Sequence, residues 1–105
     1  MREFTFRAWC SVGGDTYVCY ELTDEEAERL IKFGTDPHVI SFSRCGELAD
    51  IYSKVYTAAV EQITEEMREW GSEDEDENEA MQDPAWSAET WYDIGVGFPL
   101  EFKTM

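Results

Sequence analysis

The chain has 105 residues, and its 24 Asp and Glu against 8 Lys and Arg give a formal net charge of -16 although 43% of it is hydrophobic. That length supports one domain with one core, and four Trp, five Tyr and six Phe set the chain apart from aromatic-poor disordered acidic proteins. Direct recognition of nucleic acid or of an anionic membrane is excluded by sign, because both need Lys and Arg against phosphates.

Residues 2 to 10 alternate, with Phe4, Phe6, Ala8 and Cys10 on one face and Glu3, Thr5, Arg7 and Trp9 on the other, the period of a half-buried strand. Residues 16 to 22 alternate likewise, and Gly13-Gly14-Asp15 between them supplies turn chemistry, so an antiparallel hairpin is expected. A three-residue loop closed by Val12 and Thr16 brings the apolar faces together, with Cys10 opposite Val18, Ala8 opposite Tyr20 and Phe6 opposite Leu22. The same register pairs Arg7 with Glu21 on the other face. Thr23 and Glu26 then stand at capping-box spacing and predict a helix to about Phe33. Ala27, Leu30, Ile31 and Phe33 form its inward stripe, its acids lie in the first turn, and Gly34 offers a left-handed C-terminal cap. Val39 to Ser43, rich in β-branched and aromatic residues, reads as a short strand.

A long helix is predicted from Cys45 or Gly46 to Trp70, because Leu48, Ile51, Tyr52, Val55, Ala59, Ile63, Met67 and Trp70 recur at intervals of three and four; Gly71 ends it. Residues 72 to 82 carry the run SEDEDENEA and are expected to form a mobile acidic loop, since like charges repel. The chain then turns aromatic, and Thr90 to Val96 and Phe98 to Phe102 read as strands, with Pro99 placing the last at an edge or in an irregular stretch. The expectation is a single acidic α+β domain over residues 1 to 105. It has an N-terminal antiparallel hairpin and one short and one long helix packed on a small, mainly antiparallel sheet that C-terminal strands complete.

Chemistry-bearing motifs are few. Cys10, Cys19 and Cys45 make an odd count with no Cys-x-x-Cys pair, which fits free thiols in a reducing compartment. His38 has no Cys or His at zinc-ligand spacing and reads as structural. Asp74, Asp76 and Asn78 fall at the first three ligand positions of a calcium loop, but Glu79 stands where that loop needs Gly, and Ala85 where it needs Glu. Gly13-Gly14 joins two strands rather than opening a helix, so it forms no phosphate loop. No metal, no cofactor and no enzymatic activity is expected. MREFTFRAWC contains no unbroken apolar stretch of a secretory signal, and no apolar run reaches the roughly 18 residues of a membrane span, so a cytoplasmic location is expected.

What remains is charge distribution. Residues 1 to 71 carry 14 acids and 7 bases, whereas residues 72 to 105 carry 10 acids and 1 base. Glu61, Glu65 and Glu69 repeat at i, i+4 along the long helix, stacking at about 6 Å of rise per carboxylate. With Glu73, Asp74, Glu75, Asp76, Glu77 and Glu79 they form a continuous acidic ridge, and Trp86 reads either as an exposed aromatic anchor beside it or as core. Solubility needs a net charge of only roughly 2 to 8, so the excess points to use. In size and charge the chain resembles the DNA-mimicking anti-restriction and anti-CRISPR inhibitors of phages and mobile elements. The resemblance rests on no motif and assigns no residue. It implies a non-enzymatic inhibitor that occupies a basic nucleic-acid-binding surface of a protein target. The alternative is a small assembly protein that homodimerises through its aromatic C-terminal third, its acidity serving solubility alone.

Overall fold

A computed structural model of the chain describes residues 1–11, 15–39, 41–71 and 74–99, apart from the Trp91 side chain. Strands β1 (Arg2–Cys10) and β2 (Thr16–Leu22) precede helix α1 (Asp24–Gly34) and two 3-10 turns, Phe42–Arg44 and Gly46–Leu48. Helices α2 (Ala49–Trp70), α3 (Glu75–Met81) and α4 (Ala88–Trp91) and strand β3 (Ile94–Pro99) follow. Among the described residues the sheet has three strands in the order β2-β1-β3, antiparallel throughout. The architecture is therefore α+β with an N-terminal hairpin, as the alternation predicts. One face of the sheet, with Phe4, Phe6, Ala8 and Cys10, packs under α2, and the other leaves Trp9 and Tyr17 exposed.

The hairpin register differs from the predicted one. Phe6 lies opposite Val18, Ala8 opposite Thr16 and Arg2 opposite Leu22, while Arg7 faces Tyr17 rather than Glu21. The slip is four residues in pairing and hence even, so every side chain keeps its face while changing its neighbour. On its other edge β1 pairs Ala8, Trp9 and Cys10 with Val96, Gly95 and Ile94 of β3. Arg7 finds its carboxylate in the connection, donating from Nε to Asp15 at 2.9 Å. The Trp9 indole lies flat against β3: a Cβ at Gly95 would come within 2.5 Å of it, so that position has room only for glycine. Pro99 does end an edge strand, opposite Phe6 and beside a register shift.

The capping box of α1 forms as predicted, Thr23 Oγ1 accepting from the Glu26 amide at 3.2 Å and Glu26 accepting from the Thr23 amide at 3.1 Å. Its far end differs. Gly34 is the last helical residue, and Thr35, in right-handed geometry, closes the helix with its hydroxyl on the Ile31 carbonyl at 2.7 Å. A polar side chain thus does what a left-handed glycine was expected to do. Arg29 clamps both carboxylate oxygens of Asp50 at 3.0 Å, tying α1 to the start of α2.

The predicted strand at 39–43 is not in the sheet where it is described; Ile40 lies outside the described residues. Phe42 opens a 3-10 turn, and its ring stacks on Phe6 at 5.7 Å and on Phe98 at 5.2 Å while meeting Tyr52 edge-on at 5.0 Å. Packing of one large ring into the core outweighs the β propensity of its neighbours.

At 22 residues α2 is about 33 Å long, most of the molecule's 46 Å length. Ile51, Val55, Ala59 and Ile63 are buried as predicted, but Trp70 is 76% exposed. The strand ends Cys10 and Thr16 lie against Ile63, Glu66 and Met67, so one turn further on Trp70 has no sheet beneath it. Val60 and Thr64 are buried instead, on a second face that receives α4 and the segment before it. The C-terminal region also departs from expectation. Residues 75–81 of the supposed loop are helix α3, and Thr90 and Trp91 of the first supposed strand belong to helix α4, capped by Ser87, while Ile94–Pro99 forms one strand across the two expected ones; residues 100–102 of the second lie outside the described residues. Among the described residues no helix is long and apolar enough to cross a membrane.

Candidate functional site

The acidic surface is built from two elements whose carboxylates stand in opposite electrostatic situations. Glu61, Glu65 and Glu69 are all exposed and share one side of the C-terminal half of α2. There they oppose the helix dipole, whose C-terminal end is itself partially negative. They also repel one another, by roughly 0.2–0.5 kcal/mol for each i, i+4 pair. On α3 the case is reversed. Asp74 is the N-cap, its side chain accepting from the Asp76 amide at 2.9 Å, and Glu75, Asp76 and Glu77 occupy the first turn, where negative charge stabilises the helix. This is why a run that looks self-repelling in sequence folds as helix: its acids fall at the dipole's positive end, and Met81 anchors it in the core.

The predicted partner-binding residues therefore separate. Glu61, Glu65, Glu69, Asp74, Glu75, Asp76 and Glu79 are exposed; Glu73 lies outside the described residues. Glu77 is half-buried, and the Tyr92 hydroxyl donates to its carboxylate, so it is tied into the fold. Trp86 is 8% exposed and belongs to the core, which settles its two readings against an exposed anchor. Its indole nitrogen is buried without an acceptor among the described residues. Phe98 also packs against the core, so the C-terminal aromatics named here serve their own chain's interior. The exposed indole at the acidic end is Trp70, which the periodicity had assigned to the interior.

The Glu77 contact pushes Tyr92 up to about 12, the carboxylate's acceptance of the phenol hydrogen being the first cause and burial the second. Because the folded state holds this proton more tightly than the unfolded chain does, the contact's stabilisation is complete below the ordinary tyrosine range and is lost as pH rises through about 12. In a spectrophotometric titration, Glu77→Gln is expected to bring one late-ionising tyrosine back toward 10. Because burial also raises Tyr52 and Tyr56, the comparison is of whole curves, and a tyrosine titration identical in the native chain and the variant would rule the carboxylate out as the cause.

The bases decide how much of the acidity is compensated. Arg7 pairs with Asp15, Arg29 with Asp50 and Lys54 with Glu26, none of them with an acid of the ridge. Lys54 and the Thr23 amide together hold the Glu26 carboxyl below its ordinary range. Arg68 is interleaved with the α2 stripe, and by its spacing it would only partly relieve the repulsion among Glu61, Glu65 and Glu69. In the structure its guanidinium turns to backbone, donating to the carbonyls of Asp83 at 2.9 Å and Trp86 at 3.0 Å. It fastens the segment between α3 and α4 to α2. Glu61, Glu65, Glu69, Glu75, Asp76 and Glu79 have no ion pair among the described residues. Also among the described residues, no group of three or more His, Cys, Asp or Glu side chains could hold a metal ion. Cys10 and Cys45 are buried free thiols and Cys19 an exposed one; burial and the nearby Glu47 carboxylate push Cys45 up from its ordinary range.

No protein-family model, no curated protein and no solved structure matches this chain.

Proposed function

We propose that this chain is a non-enzymatic protein-binding module that inhibits its target by presenting carboxylates to a basic, nucleic-acid-binding surface, in the manner of a nucleic-acid mimic. The supporting observation is the orientation of Arg68. The one base within the α2 stripe turns one guanidinium nitrogen to backbone carbonyls and makes no ion pair with Glu61, Glu65 or Glu69 among the described residues, at the helix end where negative charge is least favourable. The α3 acids have a structural reason in the helix dipole; Glu61, Glu65 and Glu69 have none in the fold. Their repulsion is the cost of a surface complementary to positive charge, which accelerates association and supplies specificity.

The test is capture from host lysate at low and high salt with two baits, the native chain and a Glu61/Glu65/Glu69→Gln variant. The native bait is expected to retain a nucleic-acid-binding protein at low salt, to release it at high salt as screening sets in, and to lose it to added duplex DNA. The Gln variant should retain little of it while melting at the same temperature or slightly higher. Equal capture by both baits would make the stripe idle.

A further inference from the structure

Beside the ridge, the C-terminal end of α2 carries a cavity of about 270 Å³ with an apolar floor of Cys10, Ile63 and Met67, a wall formed by Trp70, and Asp15 and Glu66 at its rim. We propose that this cavity receives an arginine side chain of the protein partner and is the anchoring subsite of the acidic surface, an inference that rests on the function proposed above.

Four observations converge on that occupant. Trp70 is 76% exposed although it ends an apolar stripe, and a large indole left in water next to a cavity is a typical contact anchor. Glu66 accepts from Thr16 at 3.3 Å and Gln62 at 3.4 Å, both on Oε1, and Oε2 makes no hydrogen bond with the described residues. One carboxylate oxygen is thus held in place by the fold, while the other has no partner among the described residues. The second rim acid, Asp15, is already paired with Arg7, so the uncompensated charge at the mouth is that of Glu66. The cavity also lies at the C-terminal end of a 22-residue helix, where the dipole favours a cation. A guanidinium on a three-carbon stem matches each feature: its stem suits the Met67 and Ile63 floor, its plane stacks on an indole, and its fork meets a carboxylate. Lysine carries the same charge but stacks less well, so the choice between the two is testable.

The probes are fluorescein-labelled octa-arginine and octa-lysine, with affinities read by fluorescence polarisation at one fixed salt concentration. Octa-arginine is expected to bind the native chain about threefold or more tightly than octa-lysine. Trp70→Ala should abolish that preference, and Trp70→Phe, which keeps a smaller ring, should fall between. Glu61/Glu65/Glu69→Gln should weaken both peptides together and leave their ratio unchanged. A native ratio of one, or a preference that survives Trp70→Ala with circular dichroism unchanged, overturns the arginine subsite and leaves the acidic surface standing. Equal affinity of the native chain and the Gln variant for both peptides overturns the acidic-surface reading itself.

Discussion

Phe42→Ala is expected to destabilise the fold by about 3–5 kcal/mol, the usual cost of removing a buried aromatic ring. The ring is 1% exposed and lies between Phe6 of β1 and Phe98 of β3, with Tyr52 of α2 against its edge. It is therefore the point at which two strands, the long helix and the turn after α1 share one contact. Truncation leaves a cavity bounded by rigid elements that cannot all close on it, which places the loss toward the upper part of that range. A domain of this size has a total stability of roughly 5–15 kcal/mol, so the variant should melt roughly 20–30 °C lower. Thermal unfolding followed by circular dichroism measures this directly. A loss under about 1 kcal/mol would mean that Phe42 is not part of the core.

Thr64→Val is expected to cost about 1–3 kcal/mol, even though it conserves shape. Thr64 is the one buried polar residue among those described, and its hydroxyl accepts from the Ala88 amide at 2.9 Å. Valine would leave that amide, the first of α4, buried without an acceptor. The loss is a desolvation penalty rather than a packing one, so Thr64→Ser, which keeps the oxygen and drops a methyl, should recover most of the hydrogen-bond contribution. Urea unfolding of the pair separates the two. If serine proved as destabilising as valine, the methyl contact and not the hydrogen bond would account for the role of Thr64.

Both residues mark where local pattern stops being informative. Phe42 sits in a pentapeptide whose β-branched and aromatic residues suggest a strand, yet a 3-10 turn is the conformation that delivers its ring to the space between Phe6 and Phe98. Thr64 breaks the apolar stripe of α2, and it is buried because a second layer, the segment leading into α4, packs on a face that the main stripe does not include. Trp70 leaves its expected place in the core, and Trp86 takes the second of its two readings, for a related reason. Heptad-like spacing continues to Trp70 regardless of where the sheet ends, and nothing in the spacing around Trp86 reveals that the chain will fold back over Thr64.

The candidate surface was more legible than these packing details. Carboxylates at i, i+4 on a helix have to share a side, and solvation keeps unpaired charges outside, so the exposure of Glu61, Glu65 and Glu69 followed from spacing alone. What their neighbours do did not follow. Arg68 is one helical turn from Glu65 by sequence and was expected to relieve it in part, but the carbonyls of Asp83 and Trp86 reach it first, and their position depends on the path of the chain between α3 and α4. The acids of α3 were misread in the opposite sense: counted as mutual repulsion, they are largely dipole complementation, because Asp74 caps the helix and the charges fall in its first turn.

By itself, then, the sequence determined the periods: an alternating hairpin, a capped short helix, a long amphipathic helix ending at Gly71, and a net charge of -16 concentrated after residue 60. These depend only on side chains a few residues apart, over which backbone geometry is regular. The tertiary structure decided the hairpin register, the use of Phe42 and Thr64, the burial of Trp86, the exposure of Trp70 and the orientation of Arg68. Each of those is set by which distant segment arrives first at a shared space or a shared hydrogen-bonding group, and that competition is a property of the folded chain as a whole.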